Sequence, residues 1–243
     1  MKILFFLYQW FIALPILLTL TILTALNTII GCLVGNGDFW GYYPGKIWSI
    51  LFCNLSFSPV RTKGFEKIDR ATSYIFVANH QSAYDIFIIY GYLGQNFKWI
   101  MKESLKKIPL VGKACRSAGH IFIDRSSNAG IRKAMHQAER TLHNGTSLVV
   151  FPEGTRTYTG KLGRFKKGAF QMAIDLNLPI VPLTIDGAFK VLPRTSFLIR
   201  PHTMTLIAHD PIYPQPGNEN EAQRLLDEAH TAIESGLHRN GND

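Results

Sequence analysis

The chain has 243 residues, room for one large domain and an appendage. With 47% hydrophobic and 18% charged residues it is too apolar for a disordered protein and leans toward membrane association. Its net charge of +9 favours anionic partners (nucleic acid, lipid headgroups or phosphorylated substrates), and its three scattered cysteines, Cys32, Cys53 and Cys115, spell neither a disulfide framework nor a zinc site.

The apolar excess comes first. From Ile3 to Gly37 the chain reads ILFFLYQWFIALPILLTLTILTALNTIIGCLVGNG, without one charged side chain. That is longer than the roughly 20 residues that cross a bilayer core and far longer than the roughly 7 to 15 apolar residues of a cleaved signal. A retained membrane anchor is the expectation. Pro15 falls mid-run, which leaves a straight span, a kinked span and a re-entrant helical pair open. The segment Ile47 to Phe57 is also apolar and follows Trp40, Tyr42 and Tyr43, rings suited to a membrane interface. Lys2 alone precedes the run, whereas Lys46, Arg61 and Lys63 follow it, so the positive-inside rule puts the later domain in the cytosol, on a cytoplasmic membrane. The bland alternative is a buried helical hairpin in a soluble protein.

From Arg61 onward short apolar runs alternate with helical stretches. This divides the chain into an anchoring region, 1–60, and a second domain, 61–243. Strands are expected near Tyr74 to Ala78, Lys98 to Met101, Ile121 to Asp124, Ser147 to Phe151, Ile180 to Ile185 and Met204 to Ala208. Ile131, Met135, Ala138 and Leu142 mark a helix stopping at Gly145. Leu225, Leu226, Ala229 and Ile233 mark the last one. SLVVF and IVPLTI are apolar at consecutive positions, the signature of strands buried on both faces. The fold class is therefore α/β: a largely parallel or mixed sheet flanked by helices, with an N-terminal membrane-anchoring helical segment.

In such sheets ligands gather beyond the carboxyl ends of the strands, and three polar clusters fall there. His80 and Asp85, in NHQSAYD, are five positions apart, the wrong spacing for one helix face, so they meet only across a turn. A lone histidine and aspartate at this spacing prove little, since His238 and Asp243 repeat it in the tail. A rival reading has Ser82 cap a helix and Asp85 close a capping box, which is compatible with catalysis. FPEGTRT, Phe151 to Thr157, sets a carboxylate, a glycine, a hydroxyl and a guanidinium in one turn, where the arginine and backbone N–H groups suit a phosphate. The alternative is a surface loop with a Glu153–Arg156 ion pair. In GHIFIDR, Arg125 reads equally as an anion ligand or as part of a solvated turn. VPLTI is mainly a core strand, whose Pro182 suggests a bulge or a sheet edge. Cys115 lacks the neighbours of an acyl-enzyme nucleophile, and no G-x-S-x-G elbow is present.

NHQSAYD, GHIFIDR, FPEGTRT and VPL, in this order behind an apolar segment, resemble the glycerophospholipid acyltransferase family, nearest the 1-acyl-sn-glycerol-3-phosphate (lysophosphatidic acid) acyltransferases. The resemblance covers about Arg61 to Ile212. It implies transfer of a fatty acyl group from acyl-CoA or acyl-carrier protein to the free hydroxyl of lysophosphatidic acid, giving phosphatidic acid. His80 would be the general base and Asp85 its orienting partner. Arg125, Glu153, Gly154, Thr155 and Arg156 would bind the glycerol phosphate. No metal or cofactor is implied. The partners are a lysophospholipid, an acyl thioester, a membrane surface and, with it, a possible acyl-carrier protein. Other acceptors, among them glycerol-3-phosphate and lyso-ornithine lipids, stay open, as does a non-catalytic basic module. No zinc-finger, RRM or other nucleic-acid motif occurs, so nucleic acid is not an expected partner.

Overall fold

In a computed structural model, residues 2–124, 126–142, 145–215 and 217–239 are described. The N-terminal apolar run forms α1 (Lys2–Tyr8), a π-helical turn (Gln9–Ala13) and α2 (Leu14–Val34) without a break. A proline inside a helix has no N–H to give and crowds the preceding turn. Here Pro15 occupies the first turn of α2, directly after the wider π-helical turn, and the helix continues through it. Two short helices follow, α3 (Gly37–Trp40) and α4 (Tyr43–Leu55). The rest of the chain gives β1 (Val60–Lys63), β2 (Ile75–Ala78), α5 (Tyr84–Tyr92), β3 (Phe97–Lys102), α6 (Val111–Ser117) and β4 (Ile121–Ile123). Then come α7 (Asn128–Thr141), β5 (Ser147–Val150), α8 (Gly168–Asp175), β6 (Ile180–Asp186), α9 (Ala188–Val191), β7 (Met204–Ala208) and α10 (Glu221–Arg239).

The sheet has seven strands in the order β1-β7-β6-β2-β5-β3-β4, parallel throughout except for the antiparallel β6–β7 pair. The mixed α/β sheet flanked by helices is as expected. β2 and β5 are buried at every position, and their alternate side chains feed two cores. Phe76, Ala78 and Val149 face α4 and α5, while Ile75, Val77, Leu148 and Val150 face α7, α8 and α10. A fully buried side chain such as Phe76 stabilises by about 1.5–3 kcal/mol.

Local expectations fare unevenly. β1, with the pattern VRTK, carries no apolar signal and is an addition to the expected strands. The α7 helix ends at Thr141, and Gly145, at φ +77°, turns the chain toward β5 instead of capping the helix. Pro182 lies in an interior strand, not at an edge. The bulge is on its neighbour: Leu183 pairs with Ala208, but Ile180, three residues back, pairs with Ile212, four residues on. Pro182 sits at this slip, where the missing N–H falls beyond the last rung of the β6–β7 ladder, while its carbonyl accepts His209 N–H at 3.0 Å.

The N-terminal helices are built into this body. Phe52 of α4 stacks on Phe87 of α5 at 3.9 Å, and Trp48 meets Phe87 edge-on at 5.0 Å. The long helix lies alongside. Tyr8 Oη donates to Leu55 O at 2.9 Å, Trp48 Nε1 donates to Thr21 Oγ1 at 3.0 Å, and Ala25 and Ile29 pack on Ala114 of α6.

Candidate active site

The parallel strands deliver their carboxyl ends to one rim of the sheet, and the turn after β2 is anchored first. Asn79 Nδ2 donates to Ile185 O and Asn79 Oδ1 accepts Ile185 N–H, both at 2.8 Å. The side chain thus extends the pairing of β2 with β6 by one rung and fixes where residue 80 begins.

His80 is then held from four directions. Its N–H donates to Glu153 Oε1 at 2.7 Å, and its carbonyl accepts Thr157 N–H at 2.9 Å, which stitches the NHQSAYD and FPEGTRT turns together. The imidazole lies flat on Phe151, with centroids 3.9 Å apart and planes 9° apart. Its Nδ1 is 2.8 Å from Asp85 Oδ2. The same carboxylate oxygen accepts the N–H groups of Gln81 at 2.6 Å and Ser82 at 2.8 Å. Ser82 Oγ in turn accepts Tyr84 N–H at 3.1 Å. The two sequence readings therefore meet in part, since Asp85 accepts Ser82 N–H in the turn that leads into α5 and faces the histidine with the same atom, although the N-cap position itself is Ala83.

The buried Asp85 oxygen accepts two backbone N–H groups and faces Nδ1, so in the neutral imidazole this contact favours the hydrogen on Nδ1 and the lone pair on Nε2. No described residue bonds Nε2, and the His80 side chain is 16% exposed. That is the geometry of a general base. Glu153 is different. Its two oxygens accept His80 N–H and Gly163 N–H, the latter at 3.0 Å, and the carboxylate points inward. Burial pushes its pKa up, the two N–H groups and the nearby histidine oppose the rise, and the Asp85 charge adds to it.

The remaining residues of this turn face outward. Gly154 adopts φ +76° and is exposed, and Thr155 is exposed with its hydroxyl accepting from Arg194 Nη1 at 2.7 Å. Arg156 is half-buried, and no described residue bonds its guanidinium. Arg125 lies outside the described residues. Its motif partner His120 is fully buried, with its pKa driven down to about 3 by burial and then by the Lys98 charge, a neutral core group near Trp99 N–H and Tyr90. Burial pushes the Cys115 thiol up to about 11, which disfavours a thiolate there. Among the described residues no group of three or more His, Cys, Asp or Glu side chains is placed to hold a metal ion.

Sequence reading missed Asn79, Phe151 as the platform under His80, and Arg194. Asn79 and Phe151 lie within the quoted motifs but show their roles only through distant partners. Arg194 carries no local signal at all.

A profile of the Acyltransferase family matches residues 59–186, more than half of the chain. A Helicobacter pylori protein named 1-acyl-sn-glycerol-3-phosphate acyltransferase is 32% identical over 178 residues, 72% of this chain and 75% of that one. The chain belongs to the acyltransferase family. The chloroplastic 1-acyl-sn-glycerol-3-phosphate acyltransferase BAT2 of Brassica napus is 32% identical over 198 residues, covering 81% of this chain and 56% of that protein. The chain thus spans about half the length of such plant relatives. The crystal structure of the 1-acyl-sn-glycerophosphate acyltransferase PlsC of Thermotoga maritima superposes with a TM-score of 0.79 at 27% identity, over 99% of this chain and 96% of that one.

Proposed function

We propose that the acyltransferase moves a fatty acyl group from acyl-CoA or acyl-carrier protein to the free hydroxyl of lysophosphatidic acid, giving phosphatidic acid. The observation that carries the chemistry is the 2.8 Å contact of His80 Nδ1 with Asp85 Oδ2, which leaves Nε2 unbonded among the described residues. Nε2 takes the proton of the acceptor hydroxyl as its oxygen attacks the thioester carbonyl. Asp85 holds the tautomer and stabilises the imidazolium. Collapse of the tetrahedral intermediate breaks the carbon–sulfur bond, and the imidazolium returns the proton to the departing thiolate. The acceptor is its own nucleophile, so no acyl-enzyme is formed. Arg156 grips the acceptor's phosphate, with Arg125 assisting, while Gly154 and Thr155 line the same turn. Glu153 serves this site from beneath by holding the two turns in register. The names of the relatives support lysophosphatidic acid as the acceptor.

The helix Ile3–Val34, 32 residues and only 17% buried in its most apolar stretch, supports a membrane seat for an enzyme whose acceptor and product are lipids. We place the catalytic body on the cytosolic face of a cytoplasmic membrane, where the thioester is supplied. The test is transfer of a labelled acyl group from acyl-CoA or acyl-carrier protein to lysophosphatidic acid in membranes, by wild type and His80→Ala, with glycerol-3-phosphate and lysophosphatidylcholine competing. Labelled phosphatidic acid from wild type alone is expected. Preferential labelling of another acceptor would overturn the substrate, and an active His80→Ala would overturn the base.

A further inference from the structure

Between α9 and β7 the chain forms a loop whose ends are joined, Arg200 N–H donating to Val191 O at 2.8 Å. Inside it Ser196 N–H donates to Pro193 O at 3.0 Å, and Ser196 Oγ accepts Leu198 N–H at 3.0 Å. It is a compact, internally bonded Ω-type loop. One flank fastens both turns of the candidate active site. Leu192 O accepts the Ser82 hydroxyl at 2.8 Å, and Arg194 Nη1 donates to Thr155 Oγ1 at 2.7 Å and to Arg156 O at 2.9 Å. The Arg194 guanidinium also lies 4.2 Å over the Tyr158 ring. The other flank holds the long apolar helix. Gln9, a buried polar side chain in the π-helical turn, donates from Nε2 to Phe197 O at 3.0 Å and accepts Ile199 N–H on Oε1 at 3.2 Å. At the tip Phe197 and Leu198 are 87% and 43% exposed.

We propose that this loop, residues 192–200, is a second lipid-contacting element: Phe197 and Leu198 enter the same leaflet as the exposed face of the N-terminal helix, and Arg194 carries that seating to the turn bearing Arg156. Two adjacent apolar side chains displayed by an ordered loop call for a partner. Continuity identifies it. The Gln9 bonds hold the loop against a helix whose outward side chains, Phe6, Phe11 and Ile12 among them, are exposed and apolar, so loop and helix share one surface. Arg200, exposed at the loop's end, suits the headgroup level of an anionic leaflet. The purpose of the coupling rests on the acyl-transfer reading, since an acceptor phosphate lies at the leaflet surface, whereas the lipid contact itself does not.

The first experiment places an environment-sensitive fluorophore on Phe197→Cys, with wild type carried through the same labelling as background for the native cysteines. On anionic phospholipid vesicles the emission should shift to the blue and be quenched by lipids brominated along the acyl chain. A probe that stays in water while the protein floats with the vesicles overturns the proposal, and so does a blue shift that depends on protein concentration without lipid, which would assign the loop to a second copy. The second experiment reads the coupling. Phe197→Ser with Leu198→Ser should lower acyl transfer to a long-chain acceptor in vesicles roughly tenfold and change transfer to a soluble short-chain analogue less than about twofold. Arg194→Lys should raise KM for both acceptors with kcat nearly kept. Equal losses on both acceptors from the serine pair would reduce the loop to a structural part and overturn the coupling. If wild type acylates no lysophosphatidic acid the acceptor reading fails, and the fluorophore still decides the lipid contact.

Discussion

A single oxygen carries much of the candidate chemistry. Asp85 Oδ2 receives the imidazole and two backbone N–H groups, while Asp85 Oδ1 is buried with no partner among the described residues. Asp85→Asn preserves shape and can preserve the turn by offering its amide oxygen to the N–H groups, but it removes the charge that favours imidazolium. We expect kcat to fall roughly 10³-fold or more with KM little changed, as for the orienting carboxylate of a serine-protease triad. A change in KM alone, measured by steady-state kinetics, would contradict the assigned role. Glu153 makes a different prediction because its pKa is raised, chiefly by burial. The folded state then holds the proton more tightly than the unfolded chain. Between the ordinary glutamate value of 4.5 and the higher folded value the native state binds more protons, so stability falls as pH rises through that window. Glu153→Gln has no such slope. Denaturant unfolding of both proteins from about pH 4 to about pH 7 should show wild type losing ground to the variant with rising pH, and parallel profiles would refute the assignment.

At the scale of elements, the π-helical turn decides how the long helix meets the body. Its Gln9 side chain makes the two bonds to Phe197 and Ile199. In Gln9→Leu a backbone donor and an acceptor lose their partner, a cost of about 1–2 kcal/mol. The midpoint of thermal unfolding in detergent should drop accordingly, and an unchanged midpoint would mean that the contact contributes nothing. No sequence signal pointed to Gln9, because a glutamine in an apolar run has no local pattern and its partners lie some 190 positions away. The same reason hid Arg194. Buried parallel strands were legible because they leave consecutive apolar residues, as in β2 and β5, whereas β1 was not, since an edge strand reading VRTK with three exposed side chains obeys neither period. The α7 helix was legible in place and largely in its face: Ala138 is buried and Met135 and Leu142 pack against the core as the spacing implied, Ala134 joins them, and of the four marker residues Ile131 stays exposed. At the site, His80 and Asp85 were legible as a pair across a turn. The inward orientation of Glu153 was not, since it depends on Gly163, where an added Cβ would collide with the carboxylate.

For the whole molecule the question is what the N-terminal helix does beyond the membrane seat proposed for it. A helix of 32 residues is about 48 Å long. It touches the body from Phe5 to Ile29, so the α/β body lies along the helix and does not hang from its end. Removing residues 1–34 therefore does two things at once. It strips the exposed apolar surface, and it uncovers Trp48, Leu55 and Ala114, which the helix packs against or bonds. Such a truncation should lose activity on vesicle-borne and on soluble short-chain acceptors alike, together with a lower unfolding midpoint. Substitution confined to the outward face separates the two effects. Leu4, Phe11 and Leu18 are 76%, 74% and 57% exposed and belong to none of the buried clusters among the described residues. Replacing all three by serine should weaken vesicle binding by roughly a hundredfold or more, since each inserted side chain contributes about 1–2 kcal/mol. Transfer to the soluble acceptor and the unfolding midpoint should hold. If the triple substitution abolished soluble activity as the truncation does, the outward face would be part of the folded core and not a lipid surface; if it left vesicle binding intact, membrane attachment would have to come from elsewhere on the basic surface.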